Sequence, residues 1–269
     1  MTISRGISGI RSGLIMCCIL VSCSITAQVN TYHQFWNEFA FTGTIGQKWS
    51  LELNLGDTYT STPSNHSVFA SSAQIYARVW GHYYMNAKWK FSIFFAGYYN
   101  KYVPDIDQRE YPESRLALQA TWYIKKGRYT LLSRMRMEDR HIKNTDGYNE
   151  GVYRFRDQIK LIYPINERRI RAKVAYGIGS MELLFKTPSQ VTGDQFFDRS
   201  RLTIGGGYSV TDDVQLELTY VNEFLPRETN EVYHALQFNV AFNNLFRNIY
   251  KKLHKDKPPV KISSSGANQ

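Results

Sequence analysis

Arg128-Tyr129-Thr130-Leu131-Leu132-Ser133-Arg134-Met135-Arg136-Met137-Glu138-Asp139-Arg140 is two interleaved series. One parity carries Arg128, Thr130, Leu132, Arg134, Arg136, Glu138 and Arg140, and the other Tyr129, Leu131, Ser133, Met135 and Met137. Successive side chains of a β-strand point to opposite faces, so this strand has one greasy face and one densely charged face. A soluble sandwich buries the greasy face and wets the charged one. A barrel in lipid turns its apolar side outward and its polar side inward. The rest of the chain decides between them.

The alternation recurs along the chain. Trp49, Leu51, Leu53 and Leu55 oppose Glu52 and Asn54, Trp89 to Phe95 follow the same rule, and Leu116, Leu118, Ala120, Trp122 and Ile124 oppose Arg115, Gln119 and Thr121. Tyr153, Phe155, Ile159, Leu161 and Tyr163 oppose Arg154, Arg156, Gln158 and Lys160; Ile170, Ala172, Val174, Tyr176 and Ile178 oppose Arg171 and Lys173. Further on, Leu202, Ile204 and Tyr208 oppose Arg199, Arg201 and Thr203. Val214 to Tyr220 oppose Gln215, Glu217 and Thr219, and Leu236 to Phe242 oppose Gln237 and Asn239. A change of parity near Gly177-Ile178-Gly179, which puts Glu182 out of step, predicts a bulge.

Connections alternate in length. Short turns are expected at Lys125-Lys126-Gly127, Asn166-Glu167 and Thr211-Asp212-Asp213, and long polar ones at Asn100 to Pro112, Ile142 to Glu150, Lys186 to Gln195 and Asn222 to Glu231. Short periplasmic turns with longer extracellular loops are the habit of outer-membrane barrels. The segments number about eleven, whereas bacterial single-chain barrels are normally even. Either Gln28 to His33 or Asp57 to Ala70 is expected to contribute an extra segment. The expectation is all-β: a transmembrane antiparallel up-and-down β-barrel of about 10–12 strands over residues 28–250.

The first 27 residues favour export. Arg5 and Arg11 precede the apolar run Leu14 to Val21, and Ala27 offers a small residue for cleavage. That layout is a signal peptide, too short to span a bilayer. Leu20-Val21-Ser22-Cys23 offers a lipoprotein alternative with Cys23 as the modified terminus. Cys17, Cys18 and Cys23 are the three cysteines, so the chain from Gln28 onward has no thiol or disulfide chemistry. It also has no apolar run of about 18 residues, which excludes a spanning helix. Mean hydropathy is -0.40, as alternation averages the signal away. The chain has 19 Tyr and is 14% aromatic, a composition that suits both β-structure and membrane interfaces.

The run Arg134, Arg136, Glu138, Arg140, then Tyr153-Arg154-Phe155-Arg156, Glu182 and Asp198-Arg199-Ser200-Arg201 resembles the DUF2490 family of bacterial outer-membrane barrels. The resemblance spans about Trp36 to Phe242. It implies a barrel in the outer membrane of a Gram-negative bacterium and implies no activity. Many such barrels stop at an aromatic terminus; here Lys251 to Gln269 follows Phe242, Phe246 and Tyr250 as a basic tail expected to be flexible.

The expected inward set is Arg115, Arg134, Arg136, Arg140, Arg154, Arg156, Arg171, Lys173, Arg199 and Arg201, with Glu52, Glu138 and Glu217 as acids. A guanidinium facing lipid near the midplane costs about 2–4 kcal/mol, which leaves the lumen. Such a track either attracts anionic solutes, because guanidinium groups bind carboxylate and phosphate bidentately, or knits into an ion-pair network that fills the barrel. The first makes a small anion porin, the second a structural or assembly-partner barrel. A lipid-modifying enzyme would need a histidine and a serine on one face, two apart on a strand. Asn65-His66-Ser67 puts them adjacent, and His33, His82, His141 and His234 have no serine two positions on, which leaves only cross-strand pairs. Asp105, Asp107, Glu110 and Glu113 share an expected loop but match no calcium pattern. Gly205-Gly206-Gly207 lies within a strand, where close packing of an aromatic explains it better than phosphate. The net charge of +10 is spread over strand faces, which argues against nucleic acid. No enzyme, cofactor or metal is expected. The expected partners are the lipid bilayer and anionic small solutes.

Overall fold

In a computed structural model the chain folds into one closed barrel of eleven strands. The structure describes residues 29–103, 108–143 and 147–244. The signal-like segment with its cysteines, Asp105 and Asp107, and the residues from 245 on, with Phe246, Tyr250 and the basic tail, lie outside the described residues. The strands are β1 (Val29–Ile45), β2 (Trp49–Thr60), β3 (Ser71–Tyr84), β4 (Trp89–Val103), β5 (Gln108–Lys126), β6 (Thr130–Lys143), β7 (Asn149–Pro164), β8 (Val174–Lys186), β9 (Phe197–Ser209), β10 (Val214–Leu225) and β11 (Asn230–Asn243). Neighbours pair antiparallel in chain order, and β1 closes on β11 in parallel. An odd number of up-and-down strands requires one parallel seam. The count of eleven therefore stands without adjustment: residues from Val29 belong to β1, and Asp57 to Thr60 complete β2.

The connections depart from expectation. β4 and β5 run to Val103 and from Gln108, and β10 and β11 to Leu225 and from Asn230, so two of the expected long loops are largely strand. Glu113 belongs to β5, not to a loop. At the other end, the connection expected as a tight turn at Asn166-Glu167 occupies residues 165–173 and includes Ile170, Arg171, Ala172 and Lys173. Asn166 holds it, donating to Lys173 O at 3.1 Å and accepting from Ala175 N at 2.9 Å. Lys173 takes a φ of 65° to enter β8.

β8 itself faces the opposite way from expectation. Val174, Tyr176 and Ile178 are buried in the interior, and the parity continues unbroken through Glu182, Leu184 and Lys186. The pairing with β7 has no bulge at Gly177–Gly179; the irregularity lies between Leu184 and Phe185 on the β9 side. Packing explains the reversal. A Cβ at Gly207 would strike the Tyr176 ring, and the Tyr176 hydroxyl donates to Glu217 Oε1 at 3.0 Å. The glycine run of β9 makes room for an aromatic, as its sequence suggests.

Elsewhere the faces fall as the alternation predicts. Leu51, Leu53, Leu55, Phe95, Leu118, Ile159, Ile204 and Leu218 stand exposed on the outside. At the end where β2 begins, outward aromatics meet in register: Trp49 on Tyr83 at 4.7 Å, Trp89 on Trp122 at 6.0 Å, and Phe41 on Phe242 at 4.9 Å.

Gly207→Ala should lower the unfolding free energy of the barrel by an overpacking penalty of about 1–3 kcal/mol, and its urea midpoint with it. Gly97→Ala, with open space around its Cβ, should leave the midpoint unchanged. Equal midpoints would contradict the packing of Tyr176.

Candidate functional site

Strand alternation delivers long charged side chains to a shared interior, and the register decides which of them meet. Glu138 on β6 lies opposite Arg154 on β7, and Gln158 opposite Glu182 on β8. Glu138, 1% exposed, accepts from Arg154 Nε and Nη2 at 2.8 and 2.6 Å, from Arg156 Nη1 at 2.9 Å and from Arg136 Nη1 at 3.2 Å. Glu182 accepts from Arg156 Nε and Nη2 at 3.0 and 2.8 Å, from Arg134 at 2.9 Å and from Arg201 at 3.3 Å. Arg201 also donates to Glu223, which takes Arg199 at 3.1 Å. Arg199 then reaches Asp198 at 3.1 Å, and Asp198 takes Arg227 at 2.9 Å.

The chain of contacts continues past the ion pairs. Arg136 donates to Gln119 Oε1 on β5 at 2.9 and 2.7 Å, with its guanidinium 5.0 Å from the Trp80 ring centre on β3 and 5.5 Å from that of Phe94 on β4. Arg201 lies 5.2 Å from the Trp36 ring on β1. One continuous network thus joins side chains from nine strands, β1 and β3 to β10. A second knot lies beside it, where Glu113 accepts from Arg140 at 2.7 and 3.1 Å and from Arg115, whose guanidinium sits 3.8 Å from the Tyr98 ring centre. A third holds Glu38 between Arg78 and the Tyr76 hydroxyl.

Of the expected inward residues, Arg115, Arg134, Arg136, Arg140, Arg154, Arg156, Arg199, Arg201, Glu138 and Glu217 lie on interior faces. Arg171 does not. It stands exposed in the 165–173 turn, donating to Glu167 Oε1 at 2.6 Å, and that bond holds the Glu167 carboxyl below its usual range. Lys173 ends the same turn. The expected inward acids do not include Glu113, Glu182, Glu223 and Asp198, each of which holds at least two guanidinium groups, although the family resemblance runs through Glu182 and Asp198. Two had been read as loop residues and Glu182 as out of step. Their signal is register: an acid directly or diagonally opposite an arginine on the next strand.

Register also makes a pair that single-strand spacing overlooks. His82 and Ser92 face each other across β3 and β4, with Nδ1 to Oγ at 2.8 Å, and Glu52 Oε2 lies 3.4 Å from His82 Nε2. Both His82 and Ser92 are buried, and neither borders the interior cavity of about 460 Å³, which Arg134, Arg156, Lys160, Arg201, Glu217 and Gln237 help to line. The register thus sets a carboxylate, an imidazole and a hydroxyl in sequence across β2, β3 and β4. Among the described residues no three histidine, cysteine, aspartate or glutamate side chains converge as metal ligands.

Each central carboxylate is shared among guanidinium groups, so removing one acid leaves several buried cations uncompensated. Glu138→Gln should cost about 3–5 kcal/mol in the unfolding of the barrel, the range for breaking one partner out of a buried ion pair. Glu167→Gln, which breaks an exposed pair, should leave the midpoint unchanged. A neutral Glu138→Gln would show that the network does not hold the barrel.

A family model described as "Protein of unknown function (DUF2490)" matches residues 33–234. No curated protein matches the chain.

Proposed function

This chain belongs to the DUF2490 family, and from that premise we propose an outer-membrane β-barrel of structural or assembly-partner role, its arginine-lined lumen closed by ion pairs. The observation that carries the closed lumen is the continuous network over nine strands, in which the guanidinium groups that a pore would offer to solutes are held by Glu138, Glu182 and Glu223. The membrane reading draws on the exterior. From Trp89 to Tyr99 the outward face of β4 climbs ten residues without a charge, which at about 3.4 Å each and a tilt of about 40° makes a band of about 25 Å. That is the height of a lipid-facing apolar band, with aromatics at its edge. The signal layout of residues 1–27 supports export, and the barrel's short-turn end then faces the periplasm. This reading assigns the protein no catalysis.

A second reading, a small channel for anionic solutes, draws on the cavity lining, where ten lysine and arginine side chains stand against five glutamates. Buried Glu138, Glu182 and Asp198 lie behind that lining and offset three of the five excess charges.

Leu218 is exposed on the outer face and Gln237 lines the cavity. Leu218→Arg faces hydrocarbon and costs about 2–4 kcal/mol near the midplane, so the heat-modifiable barrel should be depleted from the outer-membrane fraction. Gln237→Arg should assemble as the unmodified chain does. Equal tolerance, or recovery of the folded chain as a soluble periplasmic species, would contradict the membrane reading.

A further inference from the structure

Asp157 breaks the exterior pattern. It stands on the outward face of β7 between Phe155 and Ile159, in register with Met135 on β6 and Leu183 on β8. Tyr153 and Tyr163 flank this face above and below, so the carboxylate lies near the middle of the apolar band. The outward Asp57 and Asp139 are different: Asp57 lies two residues from Tyr59 near the end of β2, and Asp139 lies level with Tyr153, toward the rim, and has His141 Nε2 at 3.4 Å. No hydrogen bond or ion pair engages the Asp157 carboxylate among the described residues. Around it is an exterior groove of about 590 Å³, walled by Leu118, Met135, Met137, Phe155 and Phe185 over Ala120.

An ionisable side chain at the depth of the hydrocarbon is costly, and such residues mark contacts with a partner group. Lipids do not supply that group. Their donors sit at the headgroups, about 15 Å from the middle of a hydrocarbon core about 30 Å thick. A second copy of this chain docked face to face would set one Asp157 against the other, and like charges in a low dielectric repel. Charge complementarity selects a cation carried to mid-depth by a protein segment. The flexible thioethers of Met135 and Met137 let the groove shape itself to such a segment. We propose that this groove docks a membrane-embedded protein segment carrying a lysine or arginine in the middle of an otherwise apolar face. The inference rests on the membrane reading above and names the kind of partner that an assembly role requires.

The test reconstitutes the full chain in phosphatidylethanolamine and phosphatidylglycerol vesicles with labelled leucine-rich helical peptides of about 20 residues. One peptide has a central lysine and the other a central leucine. Energy transfer from the barrel tryptophans to the peptide label should show the lysine peptide binding about tenfold more tightly, the scale of a polar contact within a bilayer. Asp157→Asn should abolish that preference while leaving the folded gel mobility unchanged. Equal binding of the two peptides to the unmodified barrel overturns the inference, as does a lysine preference that survives Asp157→Asn. Self-association of the barrel that Asp157→Asn removes would assign the groove to a second copy and also overturns it. A barrel that does not float with the vesicles overturns the membrane reading and this inference together, whereas flotation without a lysine preference overturns the inference alone.

Discussion

The sharing of buried carboxylates among several guanidinium groups is the interaction on which the rest of the structure depends. A carboxylate presents about four lone-pair sites, and Glu138 fills them from Arg136, Arg154 and Arg156 while Glu182 is filled from Arg134, Arg156 and Arg201. Each arginine that serves two acids carries the constraint to the next strand. Desolvation makes a lone charge in this interior expensive, so the network is favourable only when nearly complete. That cooperativity ties the strands together from within, where a small soluble protein would use an apolar core.

Barrel size explains why the interior is built this way. Eight strands leave room that ordinary side chains fill, and sixteen or more leave an aqueous channel. Eleven strands fall between, and arginine is long enough to reach from one wall toward the next. Apolar side chains fill part of the interior, among them the patch of Trp80, Phe94, Ala96, Tyr98 and Ala117 and the stripe of Val174, Tyr176 and Ile178. The parallel seam between β1 and β11 keeps inside and outside consistent around the closure: Phe41 meets Phe242 on the outer face, and the stacked Tyr32 and Tyr233 rings meet at 4.9 Å on the inner one.

Period-two alternation made the fold legible wherever the two faces differ in chemistry. Arg134 to Arg140 and Leu216 to Tyr220 left no choice of facing. It failed at β8, where Val174, Tyr176 and Ile178 are apolar yet inward, because the rule equating apolar with outward does not hold where the lumen itself is packed. Turn chemistry misled at 165–173, where Ile170 and Ala172 imitate a strand. The arginines were legible because each alternates with apolar residues along its strand, as Arg134 and Arg136 do with Met135 and Met137. Their acids were not, since Glu113 and Glu223 sit among polar residues that read as loops, and the pairing of Ser92 with His82 depends on register that no single segment contains.

The central claim is that the interior network closes the barrel. Its most direct test is the conductance of the purified full chain in planar bilayers at low salt, where screening is weakest and an anion-selective path would be most evident. The account predicts insertion without steady conductance. A stable, anion-selective channel in the unmodified protein would contradict it, for it would mean that the guanidinium groups around Glu138 and Glu182 leave a continuous path for solutes.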